Sequence, residues 1–412
     1  IFPGFGYDPS RELTSDKDRK KYDLPLRDYS LPHQHDTHGL SHFLFNDDAD
    51  YATFRATVST SADQIAIAPG KLIKEWEEDG RKYYSYQMKG EMDLIFNISS
   101  ARYTVVEDAW QNPDGTEGKI QLFHHVSHTE NLDRFNNSVK HSMEYYNKNF
   151  SPYQYNQMRI LEFPRYAGFA QSFPNTVPYS ESLGWVANFS DPDDIDYAYF
   201  VTAHEVAHQW WGHQITPSAT RGSYQISESM AEYSALMIMK SRYGENALQK
   251  FLRYELDRYL SGRAGVGKFE KTLLDNDTQQ YVWYQKGAMI LYALQDYITE
   301  DTMNVAFRKF LDEAAFREVC PFVTSSEWLT YIEAATPDSL KYFVEESFRH
   351  IVLYENKATE ATYKKLAEDE YEVTLTIDSK KIFYDGLGEI EKEGDEKSLI
   401  EIGILADDEK NE

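Results

Sequence analysis

Val201-Thr202-Ala203-His204-Glu205-Val206-Ala207-His208-Gln209-Trp210-Trp211 decides how the rest of the chain is read. It contains the pattern His-Glu-x-x-His. Residues four apart in a helix lie on one face about one turn apart. A helix here puts the imidazoles of His204 and His208 where both can hold one zinc ion. Glu205 stands beside them, where a carboxylate can take a proton from a water on such an ion. A catalytic zinc site also needs a third protein ligand and an open fourth position.

Working outward, the third ligand is expected at Glu228, within Ser227-Glu228-Ser229-Met230-Ala231-Glu232-Tyr233. The run from Gln225 to Tyr243 has few breakers and carries apolar residues at helical spacing (Ile226, Met230, Leu236, Met237, Met239), so it reads as a second helix. Glu228 and Glu232 share a face of it. With Glu228 on the metal, Glu232 is placed to accept the spare N–H of a ligand histidine. Gly212 is expected to end the first helix, and a surface loop from Gln214 to Gly222 to fold the second back on it. The plain alternative puts both glutamates on a solvated helix face. Further on, Tyr281-Val282-Trp283-Tyr284-Gln285-Lys286-Gly287-Ala288 lies in another helical run, whose plain reading is an aromatic face packed in the core.

These three segments, in this order, resemble the M1 family of zinc aminopeptidases, the aminopeptidase N and leukotriene A4 hydrolase group of gluzincins. The resemblance implies that His204, His208 and Glu228 bind one Zn2+ per chain and that Glu205 is the general base and acid. It also implies that Tyr284, in Tyr-x-Lys-Gly, stabilises the tetrahedral oxyanion, and that a peptide is the substrate. The implied fold is α+β with several domains. Residues 1–126 would be the later part of an antiparallel N-terminal β domain with its lead-in. Residues 127–350 would be a thermolysin-like, mainly helical zinc catalytic domain, and 351–412 the truncated start of a small β-sandwich.

Two departures stand out. Gln209 to Ser227 is one residue longer than the family's usual spacing, and the expected place for the extra residue is a surface loop, where it is cheap. The family's Gly-x-Met-Glu-Asn strand is matched by Gly168-Phe169-Ala170-Gln171-Ser172, with the neutral amide of Gln171 where a glutamate would hold the substrate amine. An amide oxygen accepts a hydrogen bond from an ammonium group without neutralising it. Gln171 and Ser172 are therefore candidate substrate contacts, with Glu162 or Glu228 as the carboxylate that replaces the missing one. The alternatives to an aminopeptidase are an endopeptidase or hydrolase of another substrate, or a peptide-sensing domain like the M1-like domains linked to bacterial transporter permeases.

At 412 residues and 41% hydrophobic, with 31 Tyr, the chain is globular and long enough for two or three cores. A formal charge of −26 argues against nucleic acid or an anionic membrane surface as partner. The lone Cys320 excludes an internal disulfide, and no apolar run is long enough for a membrane helix. The chain opens at Ile1 with no signal-peptide pattern and reads as a piece of something longer, with any membrane partner reached through missing flanks. The expected setting is bacterial and extracytoplasmic or membrane-tethered, with the cytoplasm as the alternative.

Between these landmarks, His33, His35, His38 and His42 read as a surface loop, with a second metal site as the less favoured reading. Strands are expected at 52–58, 82–88, 94–98 and 103–106, with a turn at Asn112-Pro113-Asp114-Gly115. A helix follows to about Asn147, then a strand at 158–163 and a sheet edge at 169–172 suited to pairing with a peptide. Asp191 to Asp196 is an acidic approach to the positive end of the zinc helix. Helices fill 245–350, and strands return at 371–377 and 400–405. The twin Trp210 and Trp211 are expected to be packing residues.

Overall fold

Alternation of small or polar residues with β-branched and aromatic ones carries the first half of the chain into sheets. The computed structural model of the protein describes residues 16–24, 30–45, 51–191, 194–266, 269–368, 370–394, 400 and 402. Two short helices, α1 (Asp16–Lys21) and α2 (Thr37–Leu40), lead in, the second capped by the Asp36 carboxylate on the N–H groups of His38 and Gly39. The histidine-rich segment is thus a capped turn rather than a plain loop. The opening residues 1–15 and most of the strand expected at 400–405 lie outside the described residues.

Strands β1 (Tyr51–Ser61), β3 (Lys71–Glu78) and β4 (Arg81–Asp93) form an antiparallel sheet in the order β1-β4-β3. Strands β2 (Ile65–Ile67) and β5 (Ser99–Ala101) pair beside it. The strand expected over 94–98 is irregular, and Phe96 packs edge-on against Phe54. Strands β6 (Thr104–Gln111) and β7 (Glu117–His124) make a hairpin whose turn needs the positive φ of Gly115.

Helix α3 (Leu132–Asn149) then crosses to β8 (Gln157–Phe163) and β9 (Thr176–Ser180), which pair in parallel with β7 and with each other. One four-stranded sheet, β6-β7-β8-β9, therefore runs across the boundary expected at residue 126. Met88 and Met92 of β4 and Trp110, Ile120 and Leu122 of the hairpin share a core with Phe135 and Tyr146 of α3. The helix expected to run to about Asn147 is α3; the parallel pairing of β7 with β8 needs a long-range contact that no local pattern reports.

The helical half follows as α4 (Tyr197–Ala207), α5 (Met230–Tyr243), α6 (Glu245–Gly265), α7 (Gly287–Ile298), α8 (Glu300–Ala314), α9 (Ser325–Ala335) and α10 (Lys341–Arg349). Every residue of α5 from Met230 to Met239 is buried, as befits a helix enclosed on all sides. Trp210 and Trp211 are both fully buried and are packing residues, as expected. Strands β10 (Ile351–Ala367), β11 (Glu370–Tyr384) and β12 (Ile390–Glu393) end the described chain. Their long hairpin is anchored at its base by a buried Lys381–Glu346 pair at 2.8 Å, and its first strand is exposed beyond Leu353. No described helix is long and apolar enough to cross a membrane.

Candidate metal centre

Helix α4 begins at Asp196, whose carboxylate accepts the Tyr199 N–H, pairs with Arg134 and takes the Tyr243 hydroxyl at 2.7 Å. The acidic approach thus resolves to a cap with three partners, while 192–193 lie outside the described residues. The helix ends at Ala207, and His208 sits at its C-cap with αR backbone angles. Gly212, expected to end the helix, instead turns the chain four residues later with φ +139.

The connection to the second metal helix is not a surface loop. Ile215, Ser218, Thr220 and Ser223 are all fully buried. The lead-in supplies part of the cover: Ala219 N–H donates to the carbonyls of Gly39 and His42, and Ser218 N–H to that of Val323. Gly222 adopts φ +79 where a Cβ would meet the Leu274 carbonyl oxygen at 2.3 Å. The chain then enters a π-helical turn, Gln225–Ser229, which carries Glu228 and runs into α5. A single π turn holds an extra residue inside an otherwise regular helix and is common at functional sites.

Three ligand atoms meet there. The Nε2 atoms of His204 and His208 are 3.0 Å apart, and Glu228 Oε2 lies 3.4 Å from the first and 3.3 Å from the second. Tetrahedral ligands at about 2.1 Å from a zinc ion stand about 3.4 Å apart, so the triangle fits one zinc ion. His208 Nδ1 donates to the Trp211 carbonyl at 2.9 Å, and Glu232 Oε2 stands behind the His204 ring at an ion-pair distance of 2.5 Å from Nδ1. Those partners leave both Nε2 atoms free to ligate. Glu205 Oε2 is buried with no hydrogen-bond partner, which a polar group seldom is unless something else occupies the space it faces.

The electrostatics follow from burial. Burial raises the Glu205 carboxyl above its ordinary range, against the pull of the two histidines. Burial acts the same way on Glu228, but His208 and His204 outweigh it and hold that carboxyl low. The Tyr284 hydroxyl is pushed far up, first by burial and then by the Glu228 carboxylate beside it, so it stays protonated and remains a donor. Its ring lies 5.8 Å from that of His204.

Tyr284 also sits in a π-helical turn, Val282–Lys286, and the two turns interlock. Ser229 Oγ donates to the Trp283 carbonyl, Tyr224 stacks on Trp283 at 4.3 Å, and a Cβ on Gly287 would lie 2.1 Å from Ser229 Oγ. Lys286 donates at 2.5 Å to the fully buried Glu270, which also takes Arg263 and, at 3.0 Å, the Tyr259 hydroxyl. Sequence reasoning missed Glu270; a buried lysine in the Tyr-x-Lys-Gly run, which needs a counter-charge, was the available signal.

A cleft of about 960 Å³ opens on these groups, lined by His204, Glu205, Tyr284 and the backbone segment Gly168–Ala170. The edge segment is where it was expected: Ala170 bridges to Tyr179, and Gln171 N–H donates to the Pro178 carbonyl at 3.1 Å. The expected substrate side chains are not brought together. The Gln171 side chain is exposed and does not line the cleft. Ser172 is buried, donating to the Glu205 carbonyl and accepting from Gln209 Nε2, each at 2.8 Å, so it fastens the edge to the metal helix. Glu162 turns away to the His125 N–H at 2.6 Å and to His128, so it cannot replace the missing amine-binding carboxylate.

The family model for the peptidase family M1 domain matches residues 135–346, just over half of the chain. A leucyl aminopeptidase of Saccharolobus solfataricus is 23% identical over 290 residues, covering 66% of this chain and 35% of that protein. Endoplasmic reticulum aminopeptidase 2 of Homo sapiens is 25% identical over 183 residues, 42% of this chain and 19% of that one. The chain thus spans about a third or less of the length of these curated relatives. The M1 zinc metallopeptidase from Deinococcus radiodurans has a similar fold, with a TM-score of 0.57 at 16% identity over 74% of this chain and 65% of that chain. On its sequence, the chain belongs to peptidase family M1.

Proposed function

We propose that this chain is the catalytic part of a zinc-dependent peptidase that removes residues from the amino terminus of peptides. The observation that carries the reading is the triangle of His204, His208 and Glu228 ligand atoms beside a buried, unpartnered Glu205 oxygen. His204, His208 and Glu228 would hold a zinc ion, which would supply a Lewis acid for the scissile carbonyl and lower the pKa of an attacking water. Glu205, with its raised pKa, takes the proton of that water and delivers it to the leaving amine. The Tyr284 hydroxyl donates to the oxygen on which negative charge develops, an interaction strongest in the transition state. Glu232 and the Trp211 carbonyl keep both imidazoles aimed at the metal. The backbone of Gly168–Ala170 offers the substrate an edge to pair with.

The same reading makes residues from about 104 to 350 a thermolysin-like catalytic unit, and the hairpin from Ile351 the opening of a further β domain. Acidic groups on the cleft wall (Glu205, Glu232 and Asp257, against Arg258) favour a cationic amino terminus. A second reading, cleavage away from the terminus, is favoured by the neutral, exposed Gln171. One peptide offered with a free and with an acetylated amino terminus separates them. Chelator-sensitive cleavage of the free form alone supports the aminopeptidase, and equal cleavage of both overturns it.

A further inference from the structure

A second group of metal-ligating side chains gathers away from the cleft, at the carboxyl ends of the parallel strands β7, β8 and β9. Glu162 is next to last in β8, opposite Tyr179 of β9; Glu181 follows β9 directly; His128 comes from the turn after β7. One ligand atom from each lies within 4.8 Å of the others. Glu162 is only 5% exposed, and its oxygens take the His125 N–H at 2.6 Å and His128 Nδ1 at 2.5 Å. Glu181 Oε1 takes the Arg165 N–H at 3.0 Å. Among the described residues no Lys or Arg forms an ion pair with either glutamate. Two carboxylates thus face a single imidazole in a chain whose formal charge is already −26.

The carboxyl ends of parallel strands are where open sheets bind ligands. A set of one imidazole nitrogen and two carboxylate oxygens suits a divalent transition metal of intermediate softness. We propose that His128, Glu162 and Glu181 form a second divalent-metal site, separate from the His204–His208–Glu228 centre. The chain that leaves Glu162 returns as the cleft wall at Gly168–Ala170, fixed on the way by the Arg165 N–H on Glu181 and by Ser180 Oγ on the Ala167 carbonyl at 2.6 Å. Metal at this site ties together the roots of that wall.

The test counts bound zinc in whole protein that has been stripped with chelator, titrated with Zn2+ and freed of excess by gel filtration. Two zinc ions per chain are expected, falling to one in Glu162→Gln and one in His128→Gln. Glu228→Gln should also hold one, lost from the other centre, and a Glu228→Gln/His128→Gln pair none. A wild-type chain that saturates at one zinc, or two ions retained in both Glu162→Gln and His128→Gln, overturns the site.

Discussion

Replacing Glu270 by Gln tests how the turn that carries Tyr284 is held. Glu270 is fully buried and takes three donors: Lys286 at 2.5 Å, the Tyr259 hydroxyl at 3.0 Å, and Arg263. Lys286 and Arg263 are themselves only 7% and 6% exposed, so removing the carboxylate leaves two buried cations with no countercharge. Breaking a buried ion pair by removing one partner costs about 3–5 kcal/mol. Gln keeps an acceptor oxygen, which places the expected loss near about 3 kcal/mol. That corresponds to a fall in Tm of roughly 6–12 °C by the scaling for a unit of 150–250 residues. Burial alone would raise the Glu270 carboxyl, but Lys286 and Arg263 win and hold it below its ordinary 4.5. A depressed folded-state pKa stabilises above the unfolded value and loses that contribution as pH falls through the folded one. The gap between wild type and variant should therefore be full at pH 7 and shrink as pH drops below 4.5. Thermal unfolding followed by calorimetry at both ends of that range reads it. A gap under about 1 kcal/mol at pH 7, or one that does not change down to pH 3, refutes the assignment.

Other expectations follow from the same geometry. On the proposed mechanism Tyr284→Phe removes a single donor to the developing oxyanion and should lower kcat by about 10²–10³ with KM little changed, read from steady-state kinetics. Glu232→Gln weakens the hold on His204 and should loosen zinc about 10–100-fold in a competition titration against a chelator, with the fold intact by circular dichroism. Gly287→Ala drives a Cβ to 2.1 Å from Ser229 Oγ and should cost about 1–3 kcal/mol in stability, with Ser229→Gly in the same chain restoring most of it.

The metal centre was legible because its chemistry is local. His204 and His208 are four apart and Glu228 lies on the next helical run, so a one-dimensional pattern already holds the geometry. The parts that were not legible depend on long-range contacts. Nothing near residue 126 signals that β7 pairs in parallel with β8, and the buried course of 212–223 depends on Gly39, His42 and Val323, far away in sequence. The π-helical turns at Gln225–Ser229 and Val282–Lys286 escaped for a different reason: no local pattern separates them from ordinary helix, and the packing of Ser229 against Trp283 and Gly287 that joins them is distant in sequence. Glu162 shows the reverse error. A carboxylate two strand positions from the expected edge looked available to a substrate, but the pleat and the His125–His128 turn direct it elsewhere.

The most direct measurement compares zinc content and peptide turnover in wild-type protein and Glu205→Gln. Glu205 is not among the three ligand atoms, and its orphaned oxygen faces the reaction space. The variant should keep its zinc at the wild-type level and lose turnover by at least about 10²–10⁴-fold. Wild-type turnover with zinc retained would remove Glu205 from the chemistry and, with it, the peptidase mechanism given for this site.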